Sequence, residues 1–119
     1  MITNLTDQSN VINWKVGHKV YTKKYDYPAT AALFGVNDEF VVIVEPDDVN
    51  KPNNAVVYDE EGKFIRRIIN PCMDQGAICF DSVYPSGEKL ILISVCPRVF
   101  YECRLGKKEG KFISVSETR

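Results

Sequence analysis

Glu61-Gly62-Lys63-Phe64-Ile65 returns unchanged as Glu109-Gly110-Lys111-Phe112-Ile113, 48 positions further along the chain. The surroundings return with it. Phe40-Val41-Val42-Ile43-Val44, followed by Pro46, is matched by Leu90-Ile91-Leu92-Ile93-Ser94, followed by Pro97. Ala55-Val56-Val57-Tyr58-Asp59 is matched by Arg98-Val99-Phe100-Tyr101-Glu102. Short β-branched runs punctuated by Gly, Asn and Asp turns are written twice, and no stretch keeps a helical apolar period over three turns. The reading is an all-β, antiparallel chain built from repeated units.

Each unit resolves into four strands. In the first they are expected at 32–36, 39–44, 55–58 and 63–69. In the second they are expected at 78–83, 89–95, 99–105 and 111–115. Asn37-Asp38, Glu61-Gly62, Pro85-Ser86-Gly87 and the 106–110 stretch supply turns that tolerate positive φ. Ahead of the units, 11–16 and 19–24 read as a hairpin closed by Gly17-His18, and residues 1–10 read as a loose polar start. The expectation is ten strands in one domain over 1–119, with units at about 11–30, 31–77 and 78–119. The two meanders and the hairpin are compatible with a half-propeller or a sandwich.

Composition narrows function mostly by exclusion. The 15 basic and 16 acidic residues give a net charge of −1. A pI near 5.8 lacks the basic stripe of a nucleic-acid binder, and Arg66-Arg67 and Lys107-Lys108 read as solvated pairs. The one histidine, His18, falls in a turn, and no nucleophile–base set or phosphate loop is written, so the chain is expected not to be an enzyme. Cys72, Cys96 and Cys103, with Cys79, are spaced C-x6-C-x16-C-x6-C, unlike the close pairs of a zinc site. They read as free structural thiols, so no metal and no cofactor is expected. The N-terminus has no basic and apolar leader, and no apolar run approaches the roughly 20 residues that span a bilayer. The expected location is therefore the cytoplasm, with no membrane partner.

Recognition is better supplied. Residues 36–61 carry eight acids against Lys51, a local charge of −7, while the flanking segments are positive. In a meander the connections sort to two ends, and the long ones (25–30, 45–54 and 70–77) share one of them. Long loops on a rigid sheet are where binding residues concentrate. Tyr25, Asp26, Tyr27, Glu45, Asp47, Asp48, Met73, Asp74 and Gln75 are the expected partner-binding residues, with aromatic and Met anchors among acids that attract a basic partner. Trp14 reads as core.

The paired Asp59-Glu60-Glu61-Gly62-Lys63-Phe64 and Glu109-Gly110-Lys111-Phe112 turns, with their apolar second strands, resemble β-propeller blades of the WD40-like or NHL-like kind over residues 31–116. Within residues 31–116 the Gly-His and Trp-Asp dipeptides of WD40 repeats are absent. In size, strand pattern and charge the chain as a whole is similar to immunity proteins of contact-dependent growth inhibition systems, including the type that neutralises an RNase A-like toxin. That resemblance implies an intracellular antitoxin, monomeric on its own, that binds a cationic nuclease domain one-to-one and occludes its active site. The alternative is a small oligomeric propeller that binds ligand at blade junctions, as lectins do, with the 11–24 hairpin completed by a neighbour's strand.

Overall fold

A computed structural model describes residues 1–46 and 48–118. Among these, eleven strands form three antiparallel sheets. The first, blade 1, holds β1 (Ile2–Gln8), β2 (Val11–Val16) and β3 (Lys19–Lys24). Blade 2 holds β4 (Thr30–Phe34), β5 (Phe40–Val44), β6 (Ala55–Tyr58) and β7 (Phe64–Ile68). Blade 3 holds β8 (Cys79–Ser86), β9 (Lys89–Val95), β10 (Phe100–Gly106) and β11 (Phe112–Glu117). Within each sheet the strands follow sequence order. The first strands carry the packing between sheets, β4 standing between β1 and β8. The result is an open fan of three propeller-like blades, not a closed barrel.

Two apolar layers hold the fan together. Between blades 1 and 2 lie Ile2, Ile12, Trp14, Ala31, Val41 and Ile43. Between blades 2 and 3 lie Ala32, Val42, Val44, Val57, Leu90, Leu92, Cys103 and Leu105, among others. Strand β5 is therefore buried on both faces, which explains why its sequence is apolar without alternation. Trp14 is core: it is 1% exposed, and its Nε1 donates to Glu60 O at 2.7 Å.

The structure corrects the expected boundaries at several points. Residues 2–8 are a strand, so the N-terminal unit is a three-stranded sheet instead of a hairpin with a loose start. A bulge between Thr3 and Thr6, with Asn4 at φ 55°, puts the apolar Ile2 and Leu5 three residues apart. That breaks the period-2 alternation by which a strand is recognised. Strand β4 ends at Phe34, before the expected 36, because Gly35 at φ 97° opens a wider turn that Asp38 at φ 53° completes. Strand β8 runs past Pro85 to Ser86. It is the first strand of its sheet, so the missing N–H of Pro85 falls on a free edge.

The EGKFI copies occupy matching places. Gly62 and Gly110 sit at φ 78° and 70° in the β6–β7 and β10–β11 turns, and a bulge follows Phe64 and Phe112 alike, at Ile65 and Ile113. The register sets the equivalence between blades. Val41 pairs with Tyr58 and Tyr58 with Phe64, as Leu90 pairs with Leu105 and Leu105 with Phe112. Val41 thus corresponds to Leu90 and Val42 to Ile91, one position off the sequence match of Phe40–Val44 with residues 90–94.

Candidate functional site

The 25–29 connection and the loop after β5 meet at the junction of blades 1 and 2. Lys24, Tyr25, Asp26, Tyr27, Glu45, Pro46 and Asp48 line a hollow of about 440 Å³ there. Five of the nine residues expected to bind a partner are brought together: Tyr25, Asp26, Tyr27, Glu45 and Asp48. Three carboxylates face one lysine, Lys24, which the sequence reading did not include.

The hollow is built on one carboxylate. Glu45 is 8% exposed, and its Oε2 accepts hydrogen bonds from Tyr25 Oη and Tyr58 Oη, both at 2.6 Å. Burial, reinforced by the neighbouring Glu45 carboxylate, pushes both phenols well above the ordinary tyrosine range. They stay protonated and keep donating. Lys23 Nζ lies 3.9 Å from the centroid of the Tyr58 ring, adding a cation–π contact to the same cluster. The backbone is tied as well: Tyr25 N donates to Asn10 O at 2.9 Å, and Asn10 Nδ2 donates to Tyr25 O at 2.8 Å. Glu45 therefore orders the floor of the hollow. A buried acid engaged by two phenols is not the free surface charge that its sequence context suggests.

The rim is different. Tyr27 is 68% exposed, and Asp26 is exposed beside it. Asp48 Oδ1 pairs with Lys51 Nζ at 2.9 Å, with the aspartate side chain 92% exposed. Asp47 lies outside the described residues. Met73, Asp74 and Gln75 form a single exposed 3-10 turn away from this hollow. Gln75 lines a separate one of about 260 Å³ with Cys96, Pro97, Arg98, Val99 and Tyr101. Of the nine expected residues, five thus line the first hollow and Gln75 the second, while Met73 and Asp74 line neither.

Two asparagines that the sequence reading passed over organise this end. Asn54, 2% exposed, donates from Nδ2 to Glu45 O at 2.8 Å and to Phe80 O at 2.9 Å, and its Oδ1 accepts from Phe80 N at 2.8 Å. It clamps the loop under Glu45 to blade 3. Asn70 Oδ1 accepts from Cys72 N at 3.0 Å and from Ser94 Oγ at 2.9 Å. The sequence signal was an Asn placed directly before a strand and another directly before a Pro, too common to single out.

His18 is exposed in the β2–β3 turn. The four thiols are free: Cys72, Cys96 and Cys103 are buried, and Cys96 directly follows β9. Cys72 Sγ and Cys103 Sγ are 3.8 Å apart, and burial pushes the thiols of Cys79, Cys96 and Cys103 up, toward the protonated form. Among the described residues no helix is long and apolar enough to cross a membrane.

No family model and no curated protein matches the sequence. Among solved structures, one chain of Tne2 in complex with Tni2 is similar, with a TM-score of 0.66 over 92% of this chain and 77% of that chain, at 12% identity. At that identity the likeness is one of fold.

Proposed function

We propose that the protein is an antitoxin of the immunity-protein kind: a cytoplasmic binding protein, not an enzyme, that docks on a basic toxin domain one-to-one and covers its active site. The proposed target is a nuclease. One observation carries the reading. Two loops from different sheets converge on an acidic hollow whose floor is locked by Glu45 and whose rim presents Tyr27, Asp26 and Asp48 to solvent. A rigid floor with an exposed aromatic on its rim is a pre-organised docking surface, and such surfaces lose little conformational entropy on binding. The rim acids raise the local negative potential, favour a cationic face at encounter and oppose nucleic acid itself. The similar fold in Tne2 with Tni2 occurs in a two-protein complex, which supports the use of this architecture for protein recognition.

The test takes a basic nuclease toxin domain, sought first in the genes adjoining this one, titrates it calorimetrically with the protein and assays RNA cleavage. Stoichiometric inhibition is expected. Tyr27→Ala should weaken binding by about 30-fold, mainly through faster dissociation, as a desolvated aromatic anchor worth about 2 kcal/mol does. Asp26→Lys with Asp48→Lys should slow association by about tenfold at low salt. Lys108→Glu with Lys111→Glu, in the β10–β11 turn, should change neither rate by more than about twofold. Lys107 is excluded from that control because its ammonium pairs with Asp38 across blades 2 and 3. Undiminished RNA cleavage at excess protein would end the proposal.

A further inference from the structure

Three of the four thiols gather in one place. Cys72, Cys96 and Cys103 all belong to the apolar layer between blades 2 and 3. They come from different elements: Cys72 lies in the connection from blade 2 to blade 3, Cys96 directly follows β9, and Cys103 lies within β10. Cys72 neighbours both of the others. Its Sγ is 3.8 Å from Cys103 Sγ, and its thiol also bears on that of Cys96. One polar side chain fixes the grouping. Asn70 Oδ1 accepts from Cys72 N at 3.0 Å and from Ser94 Oγ at 2.9 Å, and Ser94 Oγ lies 4.0 Å from Cys96 Sγ.

The thiols are not equally reachable. Cys72 and Cys103 are 0% exposed. Cys96 is 5% exposed and lines the hollow of about 260 Å³ that also holds Gln75 and Tyr101, room enough for a molecule the size of water or peroxide. Cys79 stands apart, half-buried at another hollow beside Lys51 and Asp81. Buried thiols in contact need no chemistry, since Cys packs as a small hydrophobe. Two features go beyond packing here. The Cys72 and Cys103 sulfurs are close enough for side-chain rotation to bring them to bonding distance, and a third thiol connects the pair to the surface.

We infer that Cys96, Cys72 and Cys103 form a peroxide-responsive staple that ends as a disulfide between Cys72 and Cys103, across the junction of blades 2 and 3. Cys96 sulfur attacks one oxygen of hydrogen peroxide; the O–O bond breaks, Cys96 becomes a sulfenic acid and water leaves. Cys72 sulfur then attacks Cys96 sulfur, and the hydroxyl departs with the Cys72 proton as a second water. Cys103 sulfur attacks Cys72 sulfur, the first disulfide breaks as the second forms, and Cys96 takes up the Cys103 proton. In sum, two thiols and one peroxide give one disulfide and two waters. The final bond lies at two fully buried sulfurs, away from reductants in solvent. The thiolate is the nucleophile in each step, and burial holds Cys96 and Cys103 toward the protonated form, so the staple closes slowly and under sustained oxidant. In a reducing cytoplasm it stays open. The thiols lie between blades 2 and 3 and the acidic hollow between blades 1 and 2, so the staple and the antitoxin reading stand or fall separately.

The test uses the purified full chain carrying Cys79→Ser, so that the tryptic peptide of Cys72 holds no second thiol. In hydrogen peroxide at about pH 8.5 the monomer should lose two hydrogens, and peptide mapping should join Cys72 to Cys103. The bond links residues 31 positions apart, so the melting temperature should rise by about 10 °C and return with dithiothreitol. Three further variants, checked for folding by circular dichroism, separate the steps. Cys96→Ala should slow closure by about tenfold or more. Cys103→Ala should stop at a disulfide between Cys72 and Cys96. Cys72→Ala should form no disulfide and leave Cys96 as a sulfenic acid that dimedone traps. The mapping of the Cys79→Ser chain decides without any core substitution. A folded chain that keeps Cys72 and Cys103 free, in peroxide that oxidises the urea-unfolded chain, overturns the inference. So does closure in Cys96→Ala as fast as in its parent.

Discussion

Phe64 and Phe112 are the same letter of the same five-residue repeat, yet Phe64 is 58% exposed and Phe112 packs against the core, its ring 6.5 Å from that of Phe80. Both begin the fourth strand of a blade, and both face the preceding blade. The preceding blade differs. Behind Phe112 stands blade 2 with four strands; behind Phe64 stands blade 1 with three, and nothing reaches far enough to cover it. Identical sequence thus meets unequal burial because blade width decides which side chains leave water. The same lesson holds for β5 and β9. Val44 is closed by a neighbouring blade and 3% exposed, while its counterpart Ile93 is only half-buried.

The largest expected effect compares the two faces of β9. Leu92→Ala, in the layer shared with blade 2, should destabilise the fold by about 3 kcal/mol in urea denaturation. Ile93→Ala, on the opposite face, should cost about 1 kcal/mol, since less apolar area leaves water there. Equal losses would mean the outer face is as closed as the inner one. The next effect separates the repeat copies: Phe112→Ala should cost about 2 kcal/mol and Phe64→Ala no more than about 0.5 kcal/mol. A reversed order would break the argument from blade width.

The smallest effect concerns one end of the blade 1–2 junction, where Glu45 ties Tyr25 to Tyr58 beside the apolar layer. The ordinary tyrosine value is 10.0, and Tyr25 and Tyr58 are held above it in the folded chain. Above pH 10 the unfolded chain releases these protons first, so it binds fewer than the folded chain. The stability from this cluster is therefore fully present below pH 10 and declines as pH rises beyond it. Denaturation midpoints from pH 9 to 11 should fall, and Tyr58→Phe should make that fall shallower. An unchanged slope in Tyr58→Phe would show that this phenol is not what titrates.

Much of the fold was legible in the sequence for one reason: repetition. The EGKFI copies marked equivalent turns, and the apolar runs at 40–44 and 89–95 marked central strands. Strand β1 was not legible, since its bulge disrupts alternation and most of its side chains face solvent. The candidate site was legible as a set of long loops carrying Tyr25, Asp26, Tyr27, Glu45 and Asp48. Its division was not: Met73, Asp74 and Gln75 share a loop class with these residues but lie away from their hollow, and Gln75 lines another.

The sequence by itself determined the all-β class, the number of strands in the two repeated blades, the turn positions and the uneven charge. These follow from local rules, namely period-2 alternation, residues that accept positive φ and the count of ionisable groups. Only the tertiary structure decided that Glu45 is a buried acceptor for two phenols instead of a surface charge, that Asn54 clamps a loop to the next blade, and that Phe112 packs against the core while Phe64 stays exposed. Each of these depends on which sheets meet. That is fixed by packing between residues distant in the chain, which no local pattern records.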